Sequence, residues 1–167
     1  AIIGAGTGLG IARGLSINKK IISLPSEGGH VEFSPRNESE WELSTWIKDE
    51  LETERISVER VVSGTGLGNI AKWLLTREDR TSHHLYQAAI QWSLNAPFII
   101  SNVDLPSMVS SAAKEGDPVM QKVLKIWLSA YGSAVGDVAV HELCYSGIWL
   151  SGGTAAKQLE GLKSKTF

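Results

Sequence analysis

The 167 residues, 43% hydrophobic and 20% charged, supply enough apolar material for one buried core and leave no room for several domains. Sixteen Lys and Arg against eighteen Asp and Glu leave a net charge of −2, with no basic surplus to meet a phosphate backbone or an anionic membrane, so no nucleic-acid or membrane partner is expected. No apolar run is read as approaching the ~20 residues of a membrane span, and Ala1–Gly10 has no basic lead of a signal peptide.

In chain order, Ile2-Ile3 reads as the end of a buried strand that runs into Gly4-Ala5-Gly6-Thr7-Gly8-Leu9-Gly10, a loop with glycine at every second position. Ile21-Ile22-Ser23-Leu24 and Val31-Glu32-Phe33 are short strand candidates on either side of the turn Pro25–His30. Trp41, Leu43, Trp46, Ile47 and Leu51 recur at helical spacing and predict an amphipathic helix from Glu38 to Leu51. Ser57 reads as the N-cap of a further helix, with Glu59 in its first turn.

Weaker helical patterns cover Asn69 to Leu75 and His84 to Leu94, with the polar stretch Thr76 to Ser82 between them as a loop. The clearest helix opens at Asp117-Pro118, an N-cap followed by proline at the first helical position, and Gly132 and Gly136 on one of its faces suggest a close helix neighbour. Ile148-Trp149-Leu150 reads as a buried strand leading into Ser151-Gly152-Gly153-Thr154 and a helix from Ala155 to Leu162. Strands alternating with helices place the chain in the α/β class.

Cys144, the single cysteine, excludes an internal disulfide and any zinc site built on several thiolates, reads as a small core residue, and suits a reducing, cytoplasmic setting. Its six tryptophans are expected to pack mainly on apolar helix faces or strands. The opening on Ala1 without methionine, and the stop at Phe167 soon after a strand, turn and helix start, suggest a piece truncated at both ends.

Three glycine loops, Gly4–Gly10, Ser63–Gly68 and Ser151–Gly153, lie near element boundaries, where backbone N–H groups can face an anion. None matches a dinucleotide fingerprint or a P-loop, so taken singly each is a turn. Glu27-Gly28-Gly29-His30 sets a carboxylate and an imidazole on either side of two glycines, an arrangement suited to the vicinal hydroxyls of a sugar. Read alone, that box is equally a loop with a solvated glutamate and a structural histidine, and Glu59 equally serves a helix dipole. His83-His84 reads as an exposed helix-start pair with no third ligand nearby, so no metal site is expected.

Together, Gly4–Gly10, Leu24-Pro25-Ser26-Glu27-Gly28-Gly29-His30-Val31-Glu32-Phe33-Ser34-Pro35, Ser57-Val58-Glu59-Arg60-Val61-Val62-Ser63-Gly64 and Ser151-Gly152-Gly153 resemble the bacterial-type ATP-dependent glucokinase family in order and spacing. The resemblance spans almost the whole chain, although Lys72 to Leu105 carries no recognised motif. It implies an actin-like ATPase (ribonuclease H-like) domain, a mixed sheet flanked by helices, with residues 1–167 as the C-terminal large domain of a two-domain sugar kinase.

The same resemblance implies a substrate, D-glucose, held by Glu27, His30 and Glu59, and ATP with Mg2+, the phosphates facing Gly6, Thr7 and Gly8 and the adenosine lying along Gly152 and Gly153. The family's catalytic base, an aspartate of an Asn-Asp pair, is expected before Ala1, as is a first phosphate loop; a homodimer is also compatible with the family. A ROK-group kinase or repressor falls behind because one cysteine cannot build that group's zinc loop. From a different class, a hexose-sensing regulator that binds sugar without phosphorylating it remains the alternative.

Overall fold

The computed structural model describes residues 1–77, 80–95 and 103–167. Three strands, β1 (Ile2–Ala5), β2 (Leu9–Ile17) and β3 (Lys20–Ser26), form an antiparallel meander, and β4 (Trp149–Ser151) adds in parallel beside β1, giving the order β3-β2-β1-β4. The sheet therefore places segments 147 residues apart next to each other, so that Gly4 pairs with Ser151. The expected glycine loop shrinks to Gly6-Thr7-Gly8, since Gly4 lies in β1 and Gly10 in β2. Its glycines hide the strand by removing the side-chain alternation that marks one, while the two-residue turn Asn18-Lys19, at φ of 51° and 63°, closes the hairpin.

Helices cover this sheet: α1 (Glu38–Glu50), α2 (Gly64–Thr76), α3 (Tyr86–Gln91), α4 (Leu105–Lys114), α5 (Pro118–Glu142), α6 (Gly153–Lys157) and α7 (Leu159–Leu162). α1 forms as expected, capped by Asn37 Oδ1, which accepts from Glu40 N at 3.0 Å, but Trp41 points to solvent. Ser57 opens only a 3-10 turn, Val58–Arg60, without a side-chain cap. The helix starts six residues later, where Ser63 Oγ accepts from Gly66 N at 2.9 Å. Val31-Glu32-Phe33 is not a strand; a single bridge joins Glu32 to Ser57. In the loop expected from Thr76 to Ser82, α2 extends through Thr76, and Glu78 and Asp79 lie outside the described residues. Helix α4 has no counterpart among the expected elements, although Asp104, whose Oδ1 accepts from Ser107 N at 3.2 Å, and Pro106 form an N-terminal signature.

Helix α5 runs for 25 residues through the middle of the core. Length and composition make it apolar enough to cross a bilayer, which corrects the expectation that no run approaches that length. Its Met120, Val123, Trp127, Ala130 and Tyr131 are buried against α2, α4 and β1, as in a central core helix. Gly132 serves close approach of the chain end, since a Cβ there would sit 2.2 Å from Phe167 O, and Gly136 faces open space; neither admits a neighbouring helix. Asp117 caps α5 as expected, its Oδ1 accepting from Val119 N at 2.9 Å and Met120 N at 3.0 Å. Burial works to raise its pKa, but those N–H groups and His83 outweigh it and hold the carboxyl below its usual value.

β4 is an edge strand, with Trp149 72% exposed, rather than the buried strand expected. The final helix is broken at Gln158, which turns inward so that its Nε2 donates to Ser110 Oγ at 2.9 Å. Of the six tryptophans, Trp73, Trp92 and Trp127 are buried, Trp46 is half-buried, and Trp41 and Trp149 are exposed. Cys144 is half-buried at the margin of the core.

Tyr131 donates from its phenol to Ile3 O at 3.2 Å, tying α5 to β1. Burial pushes its pKa up from 10.0 to about 12, outweighing a lowering hydrogen bond at Ala5. A phenol whose folded pKa lies above its unfolded one stabilises the fold fully below pH 10, and that contribution is lost as pH rises toward 12. Urea midpoints measured across this window should fall with pH, and fall less in Tyr131→Phe; equal slopes in the two proteins would refute the assignment.

Candidate active site

The Gly6-Thr7-Gly8 turn stands between two cavities. On one side, a cavity of about 420 Å³ is lined by Gly6, Thr7, Gly64, Ser107, Thr154 and Lys157, among others. On the other, an open cavity of about 610 Å³ holds Gly8, Glu27, His30, Glu59 and Gly152. Both cavities include Gly6, so a ligand in each would meet at this turn.

The turn is fixed from three directions. Gly6 N donates to Gly8 O at 2.9 Å within it, while Gly64 N and Thr65 N at the start of α2 donate to Gly6 O at 2.7 Å and Thr7 O at 3.2 Å. Thr154 Oγ1 donates to Gly6 O at 3.0 Å from α6. The turn before α6 needs glycine at 152, where φ is +97° and a Cβ would lie 2.3 Å from Ala5 O. Thr154, Thr65, Ser107 and Lys157 were not singled out from the sequence; Thr154 directly follows the Gly-Gly pair, the cue that could have found it.

Glu27, His30 and Glu59 lie together in the structure. His30 Nε2 lies 3.6 Å from Glu27 Oε2 and its Nδ1 3.9 Å from Glu59 Oε1, placing the imidazole between two carboxylates that come from separate 3-10 turns. Glu27 and His30 are exposed, whereas Glu59 is half-buried, with Oε2 accepting from Leu9 N at 2.8 Å. Glu59 therefore does not serve a helix dipole, the bland role left open by the sequence; its partner lies 50 residues away on β2. Ser63 Oγ donates to Glu59 O at 2.7 Å, so the cap of α2 also fixes the backbone of this glutamate.

The pair His83-His84 corrects a sequence expectation. Neither residue starts a helix, His83 is largely buried, and Asp117 supplies the third group, the three offering ligand atoms within 4.8 Å of one another. His83 is already committed on both sides, however: Leu85 N donates to its Nδ1 at 3.1 Å, which leaves the proton of the neutral ring on Nε2, 2.9 Å from Asp117 Oδ2. A neutral ring in that tautomer has no free lone pair for a metal.

The Glucokinase family model matches residues 1–167. The chain belongs to the glucokinase family. A glucokinase of Nostoc sp. is 37% identical over 169 residues, covering 100% of this chain and 49% of that protein. This glucokinase-family chain thus spans about half the length of the curated relatives it matches. Among solved structures, the glucokinase of an Antarctic psychrotroph superposes with a TM-score of 0.71 at 25% identity, covering 99% of this chain and 45% of that one. A ROK family glucokinase from Streptomyces griseus, in complex with glucose and AMPPNP, superposes at 0.60 with 21% identity, covering 97% of this chain and 47% of that one, a likeness of fold alone. The fold of this glucokinase-family chain is that of the actin-like ATPases, a mixed sheet flanked by helices.

Proposed function

We propose that the complete protein is a glucokinase, transferring the γ-phosphoryl group of ATP to the 6-hydroxyl of D-glucose, and that this chain is its C-terminal large domain. The observation that carries the reading is the convergence of Glu27, His30 and Glu59 on one side of a glycine turn whose other side opens into a polar cavity. Glucose hydroxyls donate to the two carboxylates and exchange hydrogen bonds with His30, which binds and orients the sugar.

The hydroxyl-lined cavity with Lys157 suits a nucleotide polyphosphate, with Gly6 and Thr7 facing the phosphates and Gly153 beside the adenosine; Gly8 and Gly152, which the resemblance also puts on the nucleotide, line the sugar-side cavity instead. Magnesium is bound by phosphate oxygens, waters and one or two carboxylates, and neutralises phosphate charge during transfer. Among the described residues Asp104 is the carboxylate of this cavity, with Oδ1 already accepting from Ser107 N, so the ion would arrive largely on the nucleotide. Taking the proton from the sugar hydroxyl falls to an aspartate that the family carries before the position of Ala1.

The test is coupled ADP release by the complete protein with Mg-ATP against a panel of hexoses, and the same assay on the 167-residue chain. Turnover with glucose by the complete protein, and little or none by the isolated chain, is the expected result, because phosphoryl transfer rests on positioning from both walls of a cleft. Hexose binding without turnover by the complete protein would instead make it a sugar-sensing regulator. Absence of both would remove the kinase reading.

A further inference from the structure

We propose that the Gly8-Leu9 segment is the positioning element of the sugar-binding groups, and that Gly8 acts on the sugar side of the turn rather than on the phosphate side. The inference rests on the glucose reading above and reassigns one of its residues. A Cβ built at Gly8 would lie 2.5 Å from Glu59 Oε2, 3.1 Å from its Cδ and 3.8 Å from its Oε1, so its three nearest atoms all belong to that carboxylate. At Gly6, two residues away, a Cβ meets nothing within 4 Å. Neither glycine has a positive φ, so alanine at either position is free of backbone strain, and the difference between them is the carboxylate.

Leu9 extends the argument to the other half of the site. Its N–H holds Glu59 Oε2 at 2.8 Å, which leaves Oε1, on the His30 side, as the oxygen turned to a substrate hydroxyl. Its carbonyl lies against Gly29, where a Cβ would stand 2.1 Å from Leu9 O, and Gly29 is one of the two glycines between the Glu27 and His30 arms. Its side chain is buried in the core and anchors both peptide groups. One residue, Leu9, therefore sets Glu59 through its N–H and the Glu27-His30 turn through its carbonyl in a common frame. A methyl group at position 8 would push the carboxylate off the Leu9 N–H and out of that frame.

The test is calorimetry on the complete protein, titrated separately with glucose and with Mg-AMPPNP, for wild type, Gly8→Ala and Gly6→Ala. Gly8→Ala should weaken glucose binding ~10- to 100-fold, as misplacement of a binding group by about 1 Å does, with nucleotide affinity held within about twofold. Gly6→Ala should show the reverse. In steady-state kinetics the Gly8→Ala effect should appear in the glucose KM while the ATP KM stays in place. Glu59→Asp draws the carboxylate back by one methylene, so the Gly8→Ala/Glu59→Asp double variant should lose less than the sum of the single losses. Should Gly8→Ala not melt cooperatively, recovery of a cooperative melt in the double variant supports the proposal, and continued collapse overturns it. Unchanged glucose affinity in Gly8→Ala, a loss confined to the nucleotide, or additive losses would each overturn it too. Wild-type protein that binds no glucose would instead bring down the glucokinase reading itself.

Discussion

Replacing Glu59 by alanine in the complete protein is expected to cut kcat/KM for glucose by about 100-fold, the size of losing a charge-assisted hydrogen bond and stranding its partner. Two losses combine in this variant. The sugar loses an acceptor, and Leu9 N–H, held at 2.8 Å by Oε2, loses its carboxylate in a half-buried setting. Glu59→Gln separates the two, because the amide oxygen can still accept from Leu9 while the negative charge is gone. A fall in kcat/KM that is steep in Glu59→Ala and shallower in Glu59→Gln, with little change in melting temperature for the latter, fits the proposed role. Unchanged kinetics in Glu59→Ala would sink the sugar-ligand assignment and leave Glu59 as a strut between β2 and the turn before α2.

Trp127→Ala should be the most damaging single change to the fold, destabilising it by about 4 kcal/mol, within the 3–5 kcal/mol usual for a buried tryptophan truncated to alanine. Trp127 is fully buried, packs its ring 5.2 Å from that of Tyr131, and donates from Nε1 to Ser63 O at 2.9 Å. Against a total stability of roughly 5–15 kcal/mol, a loss of this size takes a large share of the native margin. Its consequences reach the site, since Ser63 caps α2 and its hydroxyl donates to Glu59 O. Urea titration of Trp127→Ala and Trp127→Phe on the complete protein should show the first far below wild type. The second, which keeps most of the ring volume and loses only the hydrogen bond to Ser63 O, itself still held by Leu67 N at 2.9 Å, should lie in between. A Trp127→Ala midpoint within error of wild type would show that α5 is not the pillar described here.

The placement of His83 against Asp117 shows why some of the molecule was hidden in the letters. Asp117 was legible as an N-cap because a cap acts on its own helix, two and three residues on. Its second oxygen receives His83 Nε2 from 34 residues away, a contact that no local pattern announces. Trp149 and Trp41 were misplaced for a related reason: apolarity marks what a side chain prefers, and whether a neighbour arrives to cover it is decided elsewhere in the chain. Strand β2 went unread because Gly10 and Gly14 interrupt its alternation, and the strand is defined by pairing with β1 and β3 rather than by its own side chains.

By itself the sequence determined the α/β class, the span of α1, the start and cap of α5 at Asp117, and, through its resemblance to the glucokinase family, the grouping of Glu27, His30 and Glu59 in one motif set. These follow from interactions over a few residues, or from the order of letters along the chain. Only the tertiary structure decided that β4 lies beside β1, and that the Gly6–Gly8 turn is clasped by α2 and Thr154. It also decided that the carboxylate of Glu59 rests on the amide of Leu9. Each of these is a contact between segments 50 or more residues apart, and such contacts form only when hydrophobic burial of the whole core has brought the segments together.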